Sequence, residues 1–106
     1  MSALWDLQVQ FVRAKAKLIL KAEELGIEMT DGDAYRDPRV FGAVGVNKPN
    51  VYGESKSCHK SRLAQDFNVK NEEDHVKLHD EWDKLGGSPR IDHDMNHYSF
   101  SYQGMR

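Results

Sequence analysis

Apolar residues recur along the first quarter of the chain at three- and four-residue spacing: Leu4, Leu7, Phe11, Ala14, Leu18, Ala22 and Leu25. That period gathers them into one stripe of a long amphipathic helix. Ser2 is placed to cap its start and Gly26 to end it at C′. We read the stripe as core packing rather than as a face for a cofactor or partner. Beyond it, Ile27 and Met29 alternate with polar residues, which predicts a short strand. Asp31-Gly32-Asp33 then reads as a turn or bulge, with Arg36 exposed at its end. From Asp37 to Lys56, Pro38, Gly42, Gly45, Asn47, Pro49, Asn50 and Gly53 interrupt any long regular element. Long loops in small domains are usually functional, so this one is expected to wall a cleft.

The period changes to two between Leu63 and Val69. Leu63, Gln65, Phe67 and Val69 fall on one face of a central strand, and Ala64, Asp66 and Asn68 on the other. Asn71 is then an N-cap, and Glu72, Glu73 and Asp74 suit the positive end of a helix dipole. Leu78, Trp82 and Leu85 give that helix its buried face, and Gly86-Gly87 ends it. Short strands are expected at Pro89–Ile91 and Tyr98–Tyr102. The order of elements predicts an α+β fold, a small and mainly antiparallel sheet with the helices packed on one side.

A chain of 106 residues is enough for one domain over 1–106 and not two. A net charge of -2 gives no broad attraction to nucleic acid or to an anionic membrane. No apolar run is long enough to span a bilayer. The N-terminus lacks a basic region followed by an apolar core, so a chain that is cytoplasmic when synthesised is expected. Cys58 is the single cysteine, which rules out an internal disulfide. With so small a core, a metal would help to hold the fold.

A catalytic zinc commonly takes two nitrogens and one oxygen from the protein and keeps a position open for water. His59, Asp66 and His97 supply that set. A histidine on the loop before the central strand and an aspartate within it can point into one cleft. His97 completes the site if the last strand pairs beside the central one. A carboxylate is also needed to take and pass on a proton. Asp94, three residues before His97, is one candidate and Asp92 its competitor; either could instead cap a surface turn.

Ser57-Cys58-His59-Lys60-Ser61-Arg62-Leu63-Ala64-Gln65-Asp66 resembles the Ser-x-His-x-x-Gly-x-Ala-x-Asp signature of the D-alanyl-D-alanine zinc peptidases. These include the phage L-alanyl-D-glutamate endopeptidases that digest peptidoglycan. Asp94-x-x-His97 resembles that family's later Glu/Asp-x-x-His element, Asp33-Ala34-Tyr35-Arg36-Asp37 its Gly-Tyr-Arg element, and Trp82-x-x-Leu85-Gly86 the stretch before the last motif. The resemblance runs from about Thr30 to the C-terminus. It implies a zinc cleft in a hedgehog/DD-peptidase-like fold, with His59, Asp66 and His97 as ligands and Asp94 as base. Arg36 would face substrate, and Ser57 would add a hydrogen bond at the cleft edge. The implied function is a zinc metallopeptidase acting on peptidoglycan stem peptides, a monomeric phage endolysin reaching the wall with help from a partner such as a holin. Arg62 departs from the family's glycine. That departure motivates a second reading, a non-catalytic zinc-binding phage structural module. A cytoplasmic D-Ala-D-Ala dipeptidase is a third.

Other chemistry-bearing residues carry blander readings. His75 and His79 share a helix face but lack the glutamate of His-Glu-x-x-His, so they read as a partly exposed face. His93 reads as a loop histidine. Cys58 adjoins His59 but should point the opposite way on an extended chain, away from the metal. Lys56, Lys60 and Arg62 read as a solvated basic rim.

Overall fold

A computed structural model describes residues 3–46 and 56–105. Helix α1 runs Ala3–Glu24 and buries Phe11, Ala14, Leu18 and Ala22, with Leu4 and Leu7 packed against them. Ser2 lies outside the described residues. At the other end Gly26, at φ 71°, turns the chain. Its N–H reaches the Glu23 carbonyl and that of Ile27 reaches the Ala22 carbonyl, at 3.0 and 2.9 Å. This pair of bonds is a Schellman ending. It carries Ile27 into the core in place of Leu25, which is 45% exposed and so leaves the expected stripe.

Strand β1 is Thr30–Asp31, β2 is Ala64–Asn68 and β3 is His97–Ser99. They form one antiparallel sheet in the order β1-β2-β3. The first strand falls one residue later than the alternation of Ile27 and Met29 suggested, because Thr30 and Asp31 are the residues that pair with Asn68 and Phe67. Beyond them the Gly32 N–H reaches the Asp66 carbonyl at 2.8 Å, and the Asp66 N–H reaches the Asp33 carbonyl at 2.7 Å. Two residues thus oppose one, as in a bulge. A Cβ on Gly32 would stand 3.0 Å from the Asp66 Cβ, so this close approach suits glycine. Pro89–Ile91 is not a strand, and the last strand covers His97–Ser99 rather than Tyr98–Tyr102; a separate bridge joins Tyr102 to Met105.

The sheet has two faces with different work. Leu63, Gln65 and Phe67 share one with Tyr98 and Phe100, and α1 and α3 cover it. Helix α3 spans Glu72–Lys84 and is capped by the Asn71 side chain, which accepts from the Asp74 N–H at 2.9 Å. Phe11 meets Trp82 and Phe100 edge-on at 5.8 and 5.7 Å, and Tyr98 meets Trp82 edge-on at 6.0 Å. The Trp82 indole N–H donates to the Ser99 carbonyl at 3.0 Å, tying α3 to β3. Each fully buried large side chain of this kind contributes about 1.5–3 kcal/mol. A Cβ on Gly87 would overlap the Trp82 indole, so the turn after α3 depends on that glycine. The opposite face carries Ala64, Asp66, His97 and Ser99. Between Asp37 and Lys56 the described residues form only a short helix, α2, at Pro38–Phe41; residues 47–55 lie outside the description.

Candidate metal centre

Three elements converge on the second face. His59 comes from a 3-10 turn at Cys58–Ser61, Asp66 from β2 and His97 from β3. The turn forms because Ser57 caps it: its Oγ accepts from the His59 N–H at 3.2 Å. Arg62 closes the turn in the left-handed region, at φ 58° and ψ 33°, with its N–H on the Cys58 carbonyl. Asp66 and His97 are direct cross-strand partners, so their side chains rise from the same face.

The three side chains meet at their polar tips. His59 Nε2 lies 3.1 Å from Asp66 Oδ1 and 3.2 Å from His97 Nδ1, and His97 Nδ1 lies 3.5 Å from Asp66 Oδ1. His59 Nδ1 is 2.6 Å from the Ala34 carbonyl. A carbonyl only accepts, so the proton of a neutral His59 sits on Nδ1 and its Nε2 presents a lone pair. An ionised Asp66 is also acceptor-only. Burial pushes the Asp66 carboxyl up, but the hydrogen bonds and charges of His59 and His97 outweigh it and hold it well below the usual carboxylate range. A single proton on His97 Nδ1 could serve two of the contacts, whereas a cation would serve all three atoms. The group His59, Asp66 and His97 could therefore hold a metal ion. His59 and His97 are buried and Asp66 is partly open, so access is from the carboxylate side.

Arg36 braces this arrangement. Its backbone N–H donates to the His59 carbonyl at 3.0 Å, its Nη1 reaches Ser57 Oγ at 3.5 Å and its Nε lies 3.5 Å from Asp33 Oδ2. The side chain is 12% exposed, more enclosed than the sequence suggested. Ser57 is buried, and its Oγ both caps the turn and meets the Arg36 guanidinium. Asp94 stands in the turn before β3; its backbone carbonyl accepts from the His97 N–H at 3.1 Å, and its carboxylate is not among the three clustered groups. Asp92 and His93 are exposed in the same turn.

Several expectations need correction. Lys60 is not on a solvated rim: it is 6% exposed, and its Nζ donates to the Ala43 and Val46 carbonyls at 3.2 and 3.0 Å. His75 and His79 are not half in solvent but buried. His75 Nδ1 lies 2.8 Å from the Tyr98 hydroxyl. His79 Nε2 donates to the Met95 carbonyl at 2.7 Å and its ring stacks on Tyr98 at 4.1 Å. Neither joins the metal group. Cys58 does point away, with its Sγ 3.3 Å from the Phe100 carbonyl, and burial pushes its thiol up to about 11, where it is not a nucleophile at neutral pH. Sequence reasoning missed the Ala34 carbonyl and Asp33. The first is a backbone group that no residue type announces; the second left a trace in its three-residue spacing from Arg36.

Comparison with protein-family models, curated proteins and solved structures gives no match. Among the described residues no helix is long and apolar enough to cross a membrane.

Proposed function

We propose that this chain is a zinc-dependent peptidase that hydrolyses peptidoglycan stem peptides, as an L-alanyl-D-glutamate endopeptidase or a D-Ala-D-Ala carboxypeptidase, and serves as a phage lysis enzyme. The observation that carries the reading is the spacing of the three tips. In a tetrahedron with bonds of ~2.0–2.1 Å, two corners lie ~3.3–3.4 Å apart. The three separations are 3.1, 3.2 and 3.5 Å. Two nitrogens and one oxygen are the donor set of a hydrolytic zinc, and the Ala34 carbonyl fixes the His59 tautomer as metal-bound histidines require. The left-handed backbone of Arg62 supports the family resemblance at the signature glycine that it replaces, since that is a conformation glycine adopts freely.

Zinc, when bound, supplies a Lewis acid and a water whose pKa falls to about 7. Asp94 shares a turn with His97 and is assigned as the base; with zinc held by His59, Asp66 and His97, its carboxylate would accept a proton from the attacking water and pass it to the leaving amine. Arg36, braced by Ser57 and Asp33, orients a substrate carboxylate or the developing oxyanion with its planar fork. A wall substrate would be reached from the cytoplasm with a partner such as a holin. Metal analysis, then digestion of purified peptidoglycan with mass analysis of the fragments, tests the reading. One zinc per chain, lost in His59→Ala, and stem-peptide cleavage that stops with chelator are expected. Bound zinc without cleavage would replace the peptidase by the non-catalytic zinc module, and no bound zinc would overturn both.

A further inference from the structure

We propose that α1 pairs antiparallel with the same helix of a second copy of this chain. The helix carries a second apolar stripe that the core does not use: Trp5, Val9, Val12, Ala16 and Ile19, separated by four, three, four and three residues. This is the 3.5-residue period of a coiled-coil seam. At 3.6 residues per turn its centre lies roughly 135° around the helix from the buried side chains Phe11, Ala14, Leu18 and Ala22. Of this stripe Trp5 is 51%, Val12 57% and Ile19 42% exposed, Val9 is partly buried, and Leu20 beside it is 65% exposed. Trp5, Val9 and Val12 line a groove with Gln8, Arg13 and Arg62. An exposed apolar stripe at this period is shaped to receive a second helix.

Size and charge select a second copy in one orientation. Antiparallel pairing that sets Val9 against the partner's Val12 also sets Trp5 against the partner's Ala16. Large meets small in the two outer layers and Val meets Val in the two central ones, and the twofold axis repeats the match. At the positions flanking that seam, Asp6 falls opposite the partner's Arg13, twice. A parallel pair would instead stack Trp5 on the partner's Trp5 and leave a gap between two Ala16 side chains, with no acidic partner for Arg13. Since α1 covers the sheet face opposite Asp66 and His97, this pairing leaves the candidate metal centre open, and it does not rest on the metal reading.

Sedimentation of the full chain over ~1–100 µM tests association in the micromolar range. A species of twice the 12.2 kDa chain mass is expected at the upper end. Val12→Asp should be monomeric throughout with an unchanged far-ultraviolet circular dichroism spectrum, because Val12 is exposed in the single chain. Asp6→Arg or Arg13→Asp should each weaken the dimer, and the two together restore it. Register is read by mixing Val9→Cys and Val12→Cys proteins under oxidation; the mixed disulfide should exceed either symmetric one, and the buried Cys58 does not compete. A wild-type monomer across the range, a dimer that survives Val12→Asp, or a predominance of symmetric disulfides would overturn the proposal.

Discussion

Arg62 shows how a residue can look wrong in sequence and fit in structure. A side chain in the left-handed region costs about 1–2 kcal/mol. Its guanidinium lies 3.9 Å from the Tyr35 ring, a contact worth about 0.5–1 kcal/mol at an exposed site. Arg62→Gly removes both terms, so its stability should stay within about 1 kcal/mol of wild type, whereas Arg62→Val keeps the strain, loses the ring contact and adds a branched side chain. Urea midpoints should rank Arg62→Gly clearly above Arg62→Val; equal midpoints would mean the turn relaxes. Where His59, Asp66 and His97 meet, residue types were legible because imidazole and carboxylate side chains have few other reasons to converge on a strand pair. The backbone partners were not. The base remains the residue to test. Asn matches Asp in size but cannot take a proton, so Asp94→Asn should keep fold and zinc while losing about 10²–10⁴-fold in turnover. Asp92→Asn should be far milder. Wild-type cleavage of peptidoglycan by Asp94→Asn would remove that residue from the chemistry.

At the scale of elements, the two long helices were readable because their apolar periods extend over many residues and their caps are local. The strands were readable only where a long alternation survived, in β2. A two- or three-residue strand is defined by its partner's hydrogen bonds, which is why Ile27–Met29 and Pro89–Ile91 misled. Helix α3 also hid a polar pair in its buried face: His75 and His79 sit among Leu78, Trp82 and Tyr98. Desolvation pushes both imidazoles below their usual pKa, which Asp74 near His75 and the Met95 carbonyl at His79 only partly offset. The unfolded chain therefore takes up protons first as pH falls below about 6.5. The stabilisation is complete above that pH and is lost as pH falls through the lowered folded-state values. His79→Phe keeps the stack on Tyr98 and removes one titrating group, so its stability should change less between pH 7 and 5 than that of the wild type. Denaturant unfolding at the two pH values, run with chelator to separate the effect from metal loss, decides it; an equal or steeper pH dependence in the variant would exclude His79 as the source.

For the molecule as a whole, a small core and no disulfide leave the second sheet face without a covalent staple. The metal reading supplies one, because His59, Asp66 and His97 bring together a loop turn and two strands on that face. A ligand that binds the folded state at 100 times its dissociation constant adds about 2.7 kcal/mol. For a domain near this length, each kcal/mol moves the melting temperature by about 4–8 °C. Removing zinc with a strong chelator should therefore lower the wild-type melting temperature by on the order of 10 °C, and restoring zinc should recover it. The three single variants His59→Ala, Asp66→Ala and His97→Ala should melt near the chelated wild type, and none should respond to chelator or zinc. Below neutral pH the wild-type response should shrink, because protons compete with the metal for its histidine ligands. Calorimetry across pH 5–8 measures all of this without any assay of activity. A wild-type melting temperature that ignores both chelator and zinc would leave the three side chains as a hydrogen-bonded polar cluster, with a shared proton holding the place assigned here to the metal.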